Sequence, residues 1–552
     1  MNRSSDDREA EPRVQRSRAR RRAGGALAAL ALTLTLAGCF GSGGSSSSGG
    51  LPGSDPASVL PASTLAYAQA VVRPTGSLAS DIDAASKRLL GIADPGQQLD
   101  ALIDKSAHGL SYEKDIRPWL GARVGFALLN AGKGGTGYAA VIDQTDTAKA
   151  QAAVTSNVFY QSNGSGPGKT TTGSYRGVSY TNHVTAGALV GVVGQYVVVA
   201  NNAAAFDAIV DVDKGASSLA SVGTYQQALS ADLPHAAGMA YVPVRKLIDL
   251  IPASLPSSSE QAVFSTVKGK IGNEILHGSA SFDARGALFD LGALDAPAPS
   301  GSSGASVPST PETNPIGSLP ADSWFAIGAT HIGPALLSGI GELAKIGGSS
   351  SAGSLSASLS EIQLATGVDV RSDLNAMTTA GFFVSGTSTS TVNVALVLGL
   401  DDASKAQPIV GQIYKLATLI QGTQKGVSVS SLSQGSTSSF TITISGLPRP
   451  IVIAASGGHI IVAYGQSSLS AATSSGATLA NSSGFKSASA LLGSGIQPVA
   501  YVNIAALGNV AQSAVSSSSS SAVTELERLG SVAIGAGKIG GNSHVRFAIA
   551  GS

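Results

Sequence analysis

The chain repeats itself. "LPASTLAYAQAVVRP" from Leu60 returns as "LPADSWFAIGATHIGP" from Leu319, and "DIRPWLGARVGFALL" from Asp115 as "DVRSDLNAMTTAGFFV" from Asp369. "DTAKAQAAV" at Asp146 matches "DASKAQPIV" at Asp402, "GQYVVVA" at Gly194 matches "GHIIVA" at Gly458, and "MAYVPVRKL" at Met239 pairs with "VAYVNIAAL" at Val499. Each match alone is weak. Five in one order, spaced by roughly 260 residues throughout, require that a fold suiting one copy suit the other. Between the copies "DAPAPSGSSGASVPSTPETNP", residues 295–315, has the Pro/Ser composition of a linker.

Each copy carries one pattern of elements. A strand at "TLAYAQAVV" is followed by "DIDAASKRLLGI", which sets Ile82, Ala85 and Leu89 on one helical face. Strands at "VGFALLN" and "YAAVID" precede a helix from "TDTAKAQ", then a hairpin of "GALVGVV" and "QYVVVAN" turning at Gly194-Gln195. Helices at "AAFDAIV" and "TYQQAL", the strand "MAYVPV" and a last hairpin turning at Asp283–Gly286 complete the copy. Hairpins mixed with helices, without βαβ alternation, predict an α+β fold: two homologous domains, each a mostly antiparallel sheet with packed helices. The expected domains are 59–294 and 319–552, joined by a linker at 295–318.

The N-terminus reads differently. Six arginines lie between Arg13 and Arg22, followed by the uncharged "AGGALAALALTLTLAG", residues 23–38. A basic region, a short apolar run and small residues at its exit predict a secretory signal over residues 1–38, too short for a membrane-spanning helix. The run ends in Leu36-Ala37-Gly38-Cys39, which resembles the lipobox of bacterial lipoproteins. In such proteins the cysteine sulfur takes a diacylglycerol and the signal is cut before it. Cys39 is the only cysteine in 552 residues, so the sequence assigns it to lipid attachment and offers neither a disulfide nor a cysteine metal site. "FGSGGSSSSGG", residues 40–50, then has too little apolar surface to fold and reads as a tether within the anchor segment 39–58. The expected location is the extracytoplasmic face of the cell membrane.

Without residues 1–38 the chain has 27 basic and 30 acidic side chains, which gives no electrostatic reason to expect nucleic acid as a partner. Charged residues are only 12% of the whole, against 43% apolar, ample for cores but poor in catalytic chemistry.

"LPASTLAYAQAVVRP", "DIRPWLGARVGFALL", "AVIDQTDTAKAQ" and "SASFDARGAL" together resemble the bacterial lipoproteins grouped under domain of unknown function 3352. The resemblance covers most of the first copy and, more faintly, the second, where "PWLG" has become "SDLN". It implies an anchored extracytoplasmic protein and carries over no site residue.

Other motifs are weighed and set aside. "NGSGPGKTT", residues 163–171, places Asn163 where a phosphate loop needs its first glycine, and reads as a loop between helix and strand. His108, His183, His235, His277, His331, His459 and His544 form no close ligand pair, and no Gly-x-Ser-x-Gly elbow is present. Asp115 and Arg117 recur as Asp369 and Arg371, which fits a cap or ion pair leading into a strand. Trp119 and Trp324 are expected in cores, and Lys149 and Lys405 on solvated helix faces. No catalytic residue, cofactor or metal is expected. The chain reads as a non-enzymatic lipoprotein that binds or scaffolds at the envelope, with the membrane and an envelope protein or apolar ligand as partners. The alternative is a carrier of lipid or another apolar molecule, and behind it an envelope hydrolase.

Overall fold

A computed structural model describes residues 52–92, 94–98, 111–130, 135–156, 169–184, 187–249, 274–294, 314–335, 369–388, 390–434, 437–512 and 527–552, with single positions 101, 337, 363 and 367. The chain is mixed helix and strand with a large antiparallel sheet. The described residues divide into two compact units: those up to 83, within 93–247 and within 276–281 form the first, and those within 84–92, 248–275 and 282–552 the second.

In the first unit β1 (Ala66–Val71), β2 (Leu120–Asn130), β3 (Thr136–Gln144), β4 (Thr170–Tyr175), β5 (Val178–His183), β6 (Ala188–Val193), β7 (Tyr196–Ala200) and β8 (Gly238–Pro243) pair antiparallel in the order β4-β5-β6-β7-β3-β2-β1-β8. The β6–β7 hairpin turns at Gly194-Gln195, where Gly194 takes φ 55°, a conformation that costs a residue without a Cβ nothing. β9 (Ile275–Asp283) follows, and its Ala280 carbonyl accepts from Ala237 N at 2.6 Å.

Helices lie on both faces of this sheet. α1 spans Gly76–Leu90 and α2 spans Thr147–Thr155, the latter capped by Asp146, whose carboxylate accepts from Lys149 N at 3.0 Å. Ala150 and Val154 of α2 pack with Trp119, Val124, Val190 and Val197 in one core. α3 (Ala203–Asp213), capped by Asn202, sets Phe206 edge-on to Tyr180 at 5.2 Å. Because side chains alternate along a strand, Tyr180 faces away from its neighbours Ser179 and Thr181, so α2 and α3 serve opposite faces. α4 (Gly223–Ser230) sets Tyr225 against Tyr241 of β8 at 5.5 Å. α5 is the short helix Val244–Ile248.

The second unit contains β10 (Gly286–Leu294), β11 (Ser323–Thr330), β12 (Met377–Ser385), β13 (Asn393–Leu400), β14 (Val427–Gln434), β15 (Thr437–Ile444), β16 (Ile451–Ser456), β17 (His459–Tyr464), β18 (Ile496–Asn503), β19 (Ser531–Ile539) and β20 (Asn542–Ala550). Their antiparallel order is β14-β15-β16-β17-β13-β12-β11-β18-β19-β20-β10. Its helices are α6 (Val370–Asn375), α7 (Ala406–Thr423), α8 (Gln466–Thr473), α9 (Ser483–Leu492) and α10 (Ile504–Gln512). α7 carries Ile409, Val410 and Ala417 onto a core with Phe440, Ile453 and Ile460, while Phe485 of α9 stacks on Tyr501 at 5.3 Å. Among the described residues no helix is long and apolar enough to cross a membrane.

Candidate functional site

Two places in the first unit have a chemistry that packing alone does not explain. One is an open groove of about 420 Å³ beside α2, lined by Gln151, Val154 and Thr155 of that helix and by β4 and β5. Thr172 pairs with Thr181 and Ser174 with Ser179 across these strands, so alternation brings all four hydroxyls to the α2 face. Further into the sheet the same face is apolar, with Val190 beside Thr181 and Val192 next along β6. The groove thus begins where valines give way to hydroxyls. α2 ends beside it, where Ser156 takes extended backbone after Thr155. None of the four strand hydroxyls has a hydrogen-bond partner among the described residues. Among the described residues no charged side chain lines the groove.

The other place is a buried polar cluster that fastens residues 52–59. Arg123 Nε donates to the Pro52 carbonyl at 2.6 Å, Tyr196 Oη to the Asp55 carbonyl at 2.7 Å, and Tyr225 Oη to the Asp55 carboxylate at 3.3 Å. Ser58 Oγ lies 2.8 Å from Tyr196 Oη. Asp143 sits beneath, accepting from Ala122 N at 3.0 Å, with Gly121 so close that a Cβ there would strike the carboxylate. Burial pushes the Asp143 carboxyl above its ordinary range, against the opposing pull of backbone N–H bonds from Ala122 and Ser54. Burial likewise raises Tyr67 and Tyr225, reinforced for Tyr225 by the Asp55 charge. These hydroxyls stay protonated and can only donate to or accept hydrogen bonds.

The sequence-predicted residues fall elsewhere. Cys39, the signal and the tether lie outside the described residues, as do His108 and 163–168 of the phosphate-loop look-alike. Thr170 opens a strand rather than the helix a phosphate loop needs. The Asp115 carboxylate accepts from Ser111 N at 2.8 Å, and Asp369 caps α6 by accepting from Ser372 N at 3.1 Å. Arg117 pairs with Glu113 on the surface. Lys149 and Lys405 make exposed ion pairs with Asp146 and Asp401. Trp119 is in the core, its Nε1 donating to the Asp115 carbonyl at 2.6 Å, and Trp324 is half-buried on β11.

One histidine does meet a carboxylate. His544 Nδ1 lies 3.0 Å from Asp290 Oδ1, and Arg546 Nη2 donates to Asp290 Oδ2 at 3.1 Å. The His544 and Asp290 side chains are 2% and 0% exposed, so no substrate reaches the pair. Arg546 Nη1 donates to the Leu492 carbonyl at 2.6 Å, which makes the cluster a buried cap on the C-terminus of α9. Among the described residues no cluster of three or more His, Cys, Asp or Glu side chains is placed to hold a metal ion.

Sequence reasoning missed both the groove and the cluster. The groove had one legible signal: in "TTTGSYRGVSYT" hydroxyls recur at every second position on either side of the Arg176-Gly177 turn. The cluster had none, since its members come from segments far apart in the chain.

The sequence profile of the family described as "Protein of unknown function (DUF3352)" matches residues 23–374, well over half of the chain. No curated protein and no solved structure matches.

Proposed function

The chain belongs to the family of proteins of unknown function DUF3352, and from its own residues we propose that it is a lipid-anchored, extracytoplasmic binding protein made of two tandem copies of one module. The observation that carries this reading is Leu36-Ala37-Gly38-Cys39 at the end of the apolar run, holding the only cysteine. Two acyl chains on Cys39 would hold the protein at the membrane where one alone is marginal. The Gly/Ser tether then leads to residues 52–59, the segment that Arg123, Tyr196 and Tyr225 fasten. A pull on the anchor would therefore meet a charged, hydrogen-bonded clasp first. The duplication is supported by the sequence matches and by the same strand order, which the second unit continues past β18 with β19, β20 and β10. Binding rather than catalysis is the role assigned, and the His544–Asp290 pair is closed to solvent.

Membrane fractionation of cells expressing the full chain tests the anchor. Wild type partitions to the membrane, labels with palmitate and migrates as the cleaved form, and Cys39→Ala does none of these. Cys39→Ala recovered in the membrane fraction at wild-type levels would sink the reading.

The alternative, a carrier of apolar molecules, is favoured by one feature of the second unit. Ile327, Leu291 and Val545 are 42%, 55% and 39% exposed on one sheet face with the half-buried Phe325 and Phe547. Mass spectrometry of protein extracted from its membrane decides this, because a carrier brings a stoichiometric lipid besides the one on Cys39.

A further inference from the structure

We propose that the groove beside α2 binds a neutral, polyhydroxylated ligand, a saccharide by chemical class. This rests on the reading of the chain as a binding protein but not on its anchor. At about 420 Å³ the groove falls in the range of roughly 300–1,000 Å³ usual for small-molecule sites. Its polar groups include the hydroxyls of Thr172, Ser174, Ser179 and Thr181 and the amide of Gln151, each able to donate and accept, while the Thr155 hydroxyl donates to the Gln151 and Ala152 carbonyls and can only accept. An apolar ligand would strip water from the four strand hydroxyls, which have no partner among the described residues, and return no hydrogen bond. An anion or cation would find no opposite charge among the described residues of the lining. A sugar ring offers alternating O–H donors and acceptors on its edges, which match these hydroxyls.

The second unit shows that the groove is not a by-product of the sheet. Val190 and Ile453 each stand three residues before the residue that closes the matching hairpin, Val193 or Ser456. Thr181 pairs with Val190, and Phe440 pairs with Ile453. Phe440 is 2% exposed and stacks on Tyr414 of α7 at 5.2 Å, so the place that is open beside Thr181 is filled there by two rings.

The test is titration of the detergent-extracted full chain with glucose, maltose and cellobiose, read by saturation-transfer NMR and calorimetry, with glucuronate and glucosamine as charged controls. Maltose or cellobiose binds and the charged controls bind more weakly. Thr181→Phe, the residue at the matching position in the second unit, abolishes binding while circular dichroism and a cooperative melt show the fold intact. Ser174→Ala and Ser179→Ala, on exposed positions that carry no packing, each weaken binding by roughly three- to tenfold. Failure of all three neutral sugars to bind overturns the proposal, as does tighter binding of a charged control, or binding undiminished in Ser174→Ala and Ser179→Ala. Fractionation reads the anchor and titration reads the groove, so either can fail without the other.

Discussion

The two units place different chemistry on matching strands. In the first, α2 ends at Thr155 and the exposed Thr172, Ser174 and Ser179 line a groove beside the buried Thr181; in the second, α7 runs on to Thr423 and fills the matching place with Tyr414 over Phe440. The segments that lead into each sheet differ in the opposite sense. Asp55 precedes the short helix Pro56–Ser58, and Asn314 precedes Pro315–Ser318. By strand register Arg123 matches Thr379 and Asp143 matches Gly399, while Tyr225 and Phe485 each stand three residues past a helix N-cap. The first unit thus holds its leading segment with charges and phenols. Asn314 holds the other, its amide donating to the Gly328 carbonyl at 3.1 Å. The topology tolerates either solution because the strand ladder, not these side chains, defines the sheet. Side chains at such positions are free to take on a separate task.

The sharpest way to break this contrast is at its filled end. Phe440→Ala removes a buried ring and is expected to cost about 3–5 kcal/mol in chemical denaturation. Thr181→Ala at the matching position removes only a methyl and a hydroxyl and is expected to cost about 1 kcal/mol. Equal losses at the two positions would mean the groove is a packed core after all.

The clasp gives the next largest effect. Arg123→Ala removes a charged donor from the Pro52 carbonyl and is expected to cost about 1.5–3 kcal/mol. Hydrogen exchange should localise the loss to the amides of residues 54–59, whereas Thr379→Ala should leave residues 315–319 as protected as before. Tyr225→Phe, which copies the second unit's Phe485, keeps the ring stack on Tyr241 and gives up only the bond to Asp55. About 1 kcal/mol is expected from it. A Tyr225→Phe protein as unstable as Arg123→Ala would show that the ring, not the hydroxyl, holds the segment.

Much of the fold was legible because it depends on local pattern. The turn at Gly194-Gln195 and the helix from Asp146 each announce themselves in a few residues, through a glycine at φ 55° and a capping carboxylate. Antiparallel pairing followed from the absence of crossover spacing. Of the groove only the alternating hydroxyls were legible; the contrast with the second unit was not, because it exists through a register: Thr181 stands where Phe440 stands, and no local window shows that. Nor was the clasp, whose arginine, aspartates and tyrosines are brought together by three strands and a helix. Asp115 and Asp369 were legible as a cap or an ion pair, and each bonds an amide within four residues of itself.

The smallest expected effect is a slope rather than a step. Burial raises the Asp143 carboxyl above its ordinary value of 3.8, so the folded protein holds that proton more readily than the unfolded chain. Its contribution to stability is full below that ordinary value and is lost as pH rises through the raised one. In Asp143→Asn nothing titrates at this position. Any change the amide makes to the bonds from Ala122, Ser54 and Gln144 is independent of pH and shifts the whole curve. Unfolding free energies of both proteins, followed from about pH 3 to pH 7, should therefore diverge: wild type loses stability relative to the variant across the window just above the ordinary carboxyl range. Curves that run parallel through that window would show the carboxylate to be fully satisfied by its backbone donors and Arg123. The second unit supplies the control, since the matching Gly399 leaves nothing to titrate.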